Sequence, residues 1–208
     1  MTGIVAQNVG RTSGLIKSAG GGGVWTLIKT LTSGGSDDDL SFVDGADDVV
    51  LDSTYPIYKF TWNNIHPQTD DVDFKFQGNA SGGSGYNETI TSTWFEAYHD
   101  EADSGTSFAY NTSRDQANGT AFQFLHNKLG NDNDQSCAGT LHLFNPSSTT
   151  FVKHFISACT RYSENNFQAQ QYIAGYFNTT SAIDEIQFKM SSGEIQGGKI
   201  KLYGLSDS

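Results

Sequence analysis

Tyr58-Lys59-Phe60-Thr61-Trp62 and, a short way on, Val72-Asp73-Phe74-Lys75-Phe76 decide the fold class of this chain. In both, large apolar residues take every second position and polar ones the positions between, which is the period of a strand with one face in a core and the other in water. Aromatic and β-branched residues suit that pleat. The same period returns in Ile186-Gln187-Phe188-Lys189-Met190 and in Lys199-Ile200-Lys201-Leu202-Tyr203, and further apolar runs fall at 24–31, 49–51, 90–98, 121–125 and 172–177. Between them lie Ser33-Gly34-Gly35-Ser36, Asp44-Gly45-Ala46-Asp47, Ser81-Gly82-Gly83-Ser84-Gly85, Asn118-Gly119 and Gly197-Gly198, where φ > 0 is reached at little cost. About ten short strands at this spacing, with no helical period and no internal repeat, predict an all-β protein. Antiparallel strands with one apolar face need a second sheet to cover it, so the expected architecture is an antiparallel, jelly-roll-like β-sandwich.

Composition narrows the function. The 208 residues are 36% hydrophobic and 12% aromatic, enough for one core of ordinary domain size. A net charge of −11 opposes a phosphate backbone, so no nucleic-acid partner is expected. No run approaches the ~20 apolar residues of a membrane helix, and no membrane partner is expected. Residues 1–8 lack the basic flank and apolar core of a secretion signal, which predicts a soluble chain that keeps its leading residues.

Residues 1–23 differ from the rest: they are poor in aromatics and end in Gly20-Gly21-Gly22-Gly23, a flexible hinge. A segment so tethered does not easily share the main core. The chain therefore reads as two units, an extended N-terminal anchoring arm over 1–23 and a sandwich over 24–208. In the arm Val9, Leu15 and Ile16 would supply apolar contact, and Arg11 and Lys17 would meet carboxylates on a partner.

The candidate chemistries each lack a required residue or spacing. Thr140–Phe144 and Thr150–Ile156 read as a hairpin around Asn145-Pro146-Ser147-Ser148. Pairing Phe144 with Thr149 would set Cys137 and Cys159 about three residues out of register, roughly 10 Å along a strand. That exceeds the ~7 Å Cα limit for a disulfide, so both thiols are expected free. Gly82-Gly83-Ser84-Gly85 lacks the Lys-Ser or Lys-Thr of a phosphate loop. Among the acidic clusters, Asn131, Asp132 and Asp134 are the best candidates for a calcium site, but they do not complete a twelve-residue calcium loop. No metal or other cofactor is therefore expected. Glu96, Asp100, Glu101, Asp184 and Glu185 form no carboxylate pattern of a sandwich glycosidase. His66, His99, His126, His142 and His154 show no metal-binding spacing, although His142 and His154 could approach across their hairpin. Five Asn-x-Ser/Thr triplets, at Asn79, Asn87, Asn111, Asn118 and Asn178, fit chance in this composition. No nucleophile motif is found, and the expectation is a protein that is not an enzyme. Most aromatics must fill the core, but Tyr86, Tyr110 and Tyr162 stand near polar, turn-rich segments and could form a sugar-stacking or protein-contact surface.

The opening Gly3-Ile4-Val5-Ala6-Gln7-Asn8-Val9-Gly10-Arg11-Thr12-Ser13-Gly14-Leu15-Ile16-Lys17 and the closing Ile183–Met190 and Gly198-Lys199-Ile200-Lys201-Leu202-Tyr203-Gly204-Leu205 resemble virion structural proteins of marine tailed bacteriophages. These are short β-sandwich proteins described as tail-fibre-like, appendage or capsid-decorating. The resemblance carries no catalytic residue. It implies a virion location, other virion proteins of the capsid or tail as partners, and assembly as a symmetric homo-oligomer such as a trimer. The chain lacks the repetitive shaft of a full tail fibre, so a decoration protein or small appendage suits its length better. The alternative expectation is a jelly-roll module that reads host surface glycans.

Overall fold

A computed structural model describes residues 23–206, so Val9, Arg11, Leu15, Ile16 and Lys17 of the expected arm lie outside the described residues. The described chain is all-β, with twelve strands in two antiparallel sheets: β1 (Trp25–Thr32), β2 (Asp39–Val43), β3 (Ile57–Pro67), β4 (Val72–Ala80), β5 (Ile90–Asp100), β6 (Thr106–Tyr110), β7 (Gln123–Leu129), β8 (Cys137–Phe144), β9 (Lys153–Tyr162), β10 (Phe167–Phe177), β11 (Ile183–Met190) and β12 (Ile195–Leu205). One sheet has eight strands in the order β1-β12-β3-β8-β9-β10-β5-β6, and the other has four in the order β2-β11-β4-β7.

The alternation read from the sequence is what buries the core. Tyr58, Phe60 and Trp62 point between the sheets, as do Phe74, Phe76, Ile186, Phe188 and Met190. Phe188 is the hub: its ring centroid lies 5.4 Å from Phe60, 5.9 Å from Phe74 and 6.2 Å from Phe76. Burying such a side chain contributes roughly 1.5–3 kcal/mol, and a well-placed ring pair about 0.5–1.5 kcal/mol beyond that. Gly139 on β8 lets the Trp62 indole lie flat on the sheet, since a Cβ there would sit 2.5 Å from Trp62 Cζ2.

Three local expectations change. Residues 49–51 form no strand: Asp47 and Asp48 adopt positive φ, the Asp44 carboxylate accepts the Leu51 N–H at 2.8 Å, and Val49 and Leu51 plug the core from a loop. Conversely, Asp39–Val43 and Thr106–Tyr110, unmarked in the sequence, are strands that pair with β11 and β5. The β8–β9 turn is longer than expected, spanning residues 145–152. The observed register sets Cys137 opposite Arg161 and Cys159 opposite Gly139, so the thiols are offset by two residues rather than three, and both are free and buried.

The small sheet is four strands narrower than the large one. Its outermost strand, β7, packs over β9 and β10, leaving the inner face of the β5–β6 edge with no strand above it. The segment 111–122 covers part of that gap, with Ser92 Oγ accepting from the Gln116 N–H and donating to the Gln123 side-chain Oε1. The stretch around Glu96 and Tyr98 stays open.

Candidate interaction surfaces and the buried polar relay

Among the described residues nothing covers the outer face of the eight-stranded sheet, which carries an aromatic strip near its β6 edge. Strand register sets Tyr110 beside Phe95 and Phe95 beside Tyr172, in one row across β6, β5 and β10. The Phe95 ring stacks on Tyr172 at 5.3 Å and meets Phe108 edge-on at 5.7 Å. Phe108 is 74% exposed and Ile156 52%. Next to the strip, Thr93, Ala174 and Gly175 floor a dent of about 420 Å³ walled by His154, Ile156 and Tyr176. Single exposed apolar residues are ordinary, but a contiguous group of this kind is the mark of a contact surface.

The three tyrosines singled out in the sequence do not form one surface. Tyr110 belongs to the strip, where its hydroxyl bonds the Asp115 carboxylate and its pKa is raised by that bond. Tyr162 lies at the far end of the same outer face, bonded to Asn166 at 3.2 Å and lining a groove of about 480 Å³ with Glu101 and Gln168. Tyr86 packs near Phe122, 6.3 Å between rings, and burial pushes its hydroxyl up to about 12. Phe95, Phe108, Ile156 and Tyr172 were missed. The alternation Phe108-Ala109-Tyr110 was their one signal, since Phe95 and Tyr172 sit in runs that read as core.

The weak calcium candidates Asn131, Asp132 and Asp134 are not gathered into a site. Asn131 spends its amide on the Gln68 carbonyl at 3.0 Å, the Asp132 N–H goes to Gln135, and among the described residues no three His, Cys, Asp or Glu side chains converge on a cation position. His142 and His154 face outward and meet Trp25 and Tyr176 respectively, not each other. Glu96 and Asp100 share the inner face of β5, but four residues of strand set their Cα atoms about 13 Å apart, beyond the ~5–9.5 Å of a glycosidase pair. Asp100 is also committed to Ser104, whose N–H and hydroxyl bonds hold its carboxyl below the usual range. Asp184 and Glu185 stand at a register irregularity of β11, both half-buried.

Between the sheets runs a polar relay that no local motif announced. Trp62 Nε1–H donates to His126 Nε2 at 3.0 Å, so that nitrogen carries the lone pair and the proton sits on Nδ1, donated to Gln171 Oε1 at 3.2 Å. Gln171 Nε2 donates to Glu96 Oε2 at 2.7 Å, and Arg161 Nη2 reaches the same oxygen at 3.2 Å. Arg161 Nη1 donates to the Lys128 carbonyl at 3.2 Å, and its guanidinium lies 4.9 Å over the Phe167 ring. Burial first, and the Arg161 charge second, lower the His126 pKa to about 3, so the imidazole is neutral. The arrangement holds two charges and an imidazole in fixed hydrogen bonds and presents no activated nucleophile. Burial likewise pushes up both thiols, Cys159 to about 12.

No family model, curated protein or solved structure matches this chain. The fold defines the class: an all-β protein of two antiparallel sheets.

Proposed function

We propose that this chain is a non-enzymatic bacteriophage virion structural protein, a capsid-decoration or small tail-appendage protein that attaches through residues 1–23 and displays its sandwich outward. The strand order carries the reading. Starting at β2, the chain passes back and forth between the sheets, giving β2-β11-β4-β7 in one and β3, the β8–β9–β10 meander, β5 and β6 in the other. We read this order as an eight-strand jelly roll with a meander in place of its seventh strand and β1 and β12 added at one edge, and that supports the reading because capsid and lectin domains use such a roll. The exposed strip around Phe108 supplies a face on which copies in a homo-oligomer could meet, and the −11 charge keeps a many-copy protein soluble. Deleting residues 1–19 is expected to leave the sandwich folded, as judged by circular dichroism, and to abolish incorporation into particles. Incorporation at the level of the full chain would overturn the proposal.

A further inference from the structure

Where the large sheet outruns the small one, the inner face of β5 and β10 faces β7 across an open cleft of about 470 Å³, whose lining includes Glu96, Tyr98, Asp100, Asn127, Arg161 and Phe167. That volume lies within the ~300–1,000 Å³ range of small-molecule sites. The cleft is built by an irregularity in β7. The pairing of β4 with β7 slips between Val72 and Phe74, and Lys128 takes φ +51, the one positive-φ residue besides glycine among the described residues that is neither Asp nor Asn. Such bulges re-aim side chains. Here His126 and Asn127 are both buried in succession, the first toward the relay and the second lining the cleft, while the Lys128 carbonyl turns to Arg161.

Two buried polar atoms on residues of this lining have no partner among the described residues: Asn127 Oδ1 and Arg161 Nε, on residues only 5% and 2% exposed. An unmet buried polar atom costs about 1–3 kcal/mol. One is an acceptor and the other a donor, and a hydroxyl is both at once. Beside Arg161, whose guanidinium lies over the Phe167 ring, Tyr98 and Phe167 pack at 5.1 Å between rings and form an apolar wall. Both cations are paired, Arg161 with Glu96 at 3.2 Å and Lys128 with Glu164 at 3.5 Å, and the Asp100 carboxylate also lines the cleft, so the site disfavours an anion.

From this geometry we infer that the cleft between β5, β10 and β7 binds a neutral saccharide of one or two rings, its hydroxyls meeting Asn127, Arg161 and Glu96 and its C–H face lying on Tyr98 and Phe167. The site is separate from the outer-face strip, and the inference holds whether or not the chain rides on a particle. Free glucose, galactose, mannose and N-acetylglucosamine, each titrated at millimolar concentration into the full-length ¹⁵N-labelled protein, test it by saturation transfer and amide shifts. At least one is expected to receive saturation and to move the amides of Tyr98, Asn127 and Phe167, and Asn127→Leu and Tyr98→Ala should each weaken binding at least tenfold. Tyr98→Ala, at a half-exposed position, guards against misfolding of the first variant. Shifts confined to the outer face, preferential binding of glucuronate or inorganic phosphate, or no saturation of any sugar, with the unpaired atoms met by structural water alone, would overturn the inference. None of these outcomes bears on particle incorporation, which the deletion reads.

Discussion

Replacing His126 by glutamine should flatten the acid limb of this protein's stability. In the folded state Trp62 occupies the Nε2 lone pair and Arg161 lies in the same relay, so protonation would break a hydrogen bond and add a second buried cation. The ordinary histidine value is 6.5 and the folded one about 3, so between these pH values the unfolded state holds the extra proton and stability falls as pH falls. At about 1.36 kcal/mol per pH unit, the loss is about 2 kcal/mol at pH 5 and approaches about 5 kcal/mol near pH 3. Glutamine can accept from Trp62 and donate to Gln171 without titrating. Urea unfolding of both proteins at pH 7.5 and pH 5 is the assay, read as the change between the two pH values, so that any uniform destabilisation of the variant drops out. His142, whose pKa is also lowered by burial and by Lys59, titrates in the same direction in both proteins and cancels. The parent should lose about 2 kcal/mol more than His126→Gln. Equal losses would refute the buried, neutral imidazole.

Two further perturbations probe the core. The buried thiols of Cys137 and Cys159 should resist an aromatic disulfide reagent in the native protein at pH 8 and both react once it is unfolded; reaction at the rate of a free cysteine before unfolding would contradict their burial. Gly139→Ala drives a methyl group against the Trp62 indole and to 3.0 Å from the Ala158 carbonyl, and should lower unfolding free energy by roughly 1–3 kcal/mol in urea; an unchanged midpoint would show that the indole does not rest on that glycine.

Much of the framework was legible because side-chain alternation is local. Tyr58, Phe60, Trp62, Phe74, Phe76, Ile186 and Phe188 face inward as their spacing requires. The failures have local causes as well. At 49–51 an apolar run of strand length is held as a loop by left-handed Asp47 and Asp48 and the Asp44 carboxylate. In Asp39–Val43 the acidic start hid a strand whose Leu40 and Phe42 reach the core. The hairpin register slipped because turn length cannot be counted until the paired ends are known, and residues 145–152 took more chain than a tight turn.

Sequence alone determined that the chain makes strands and that their alternating faces build one aromatic core between sheets. Each follows from spacing within a few residues, where the chain itself fixes the geometry. The tertiary structure decided the rest. Glu96, Asn127, Arg161 and Gln171 come from four strands and meet because β5, β10 and β9 are neighbours under β7. Whether Phe95 and Tyr172 are core or surface depends on whether a second sheet lies over them. A sheet of eight strands against one of four leaves an open inner cleft, while the outer strip is bare because the small sheet covers only the inner face, and both are set by long-range pairing that no stretch of sequence contains.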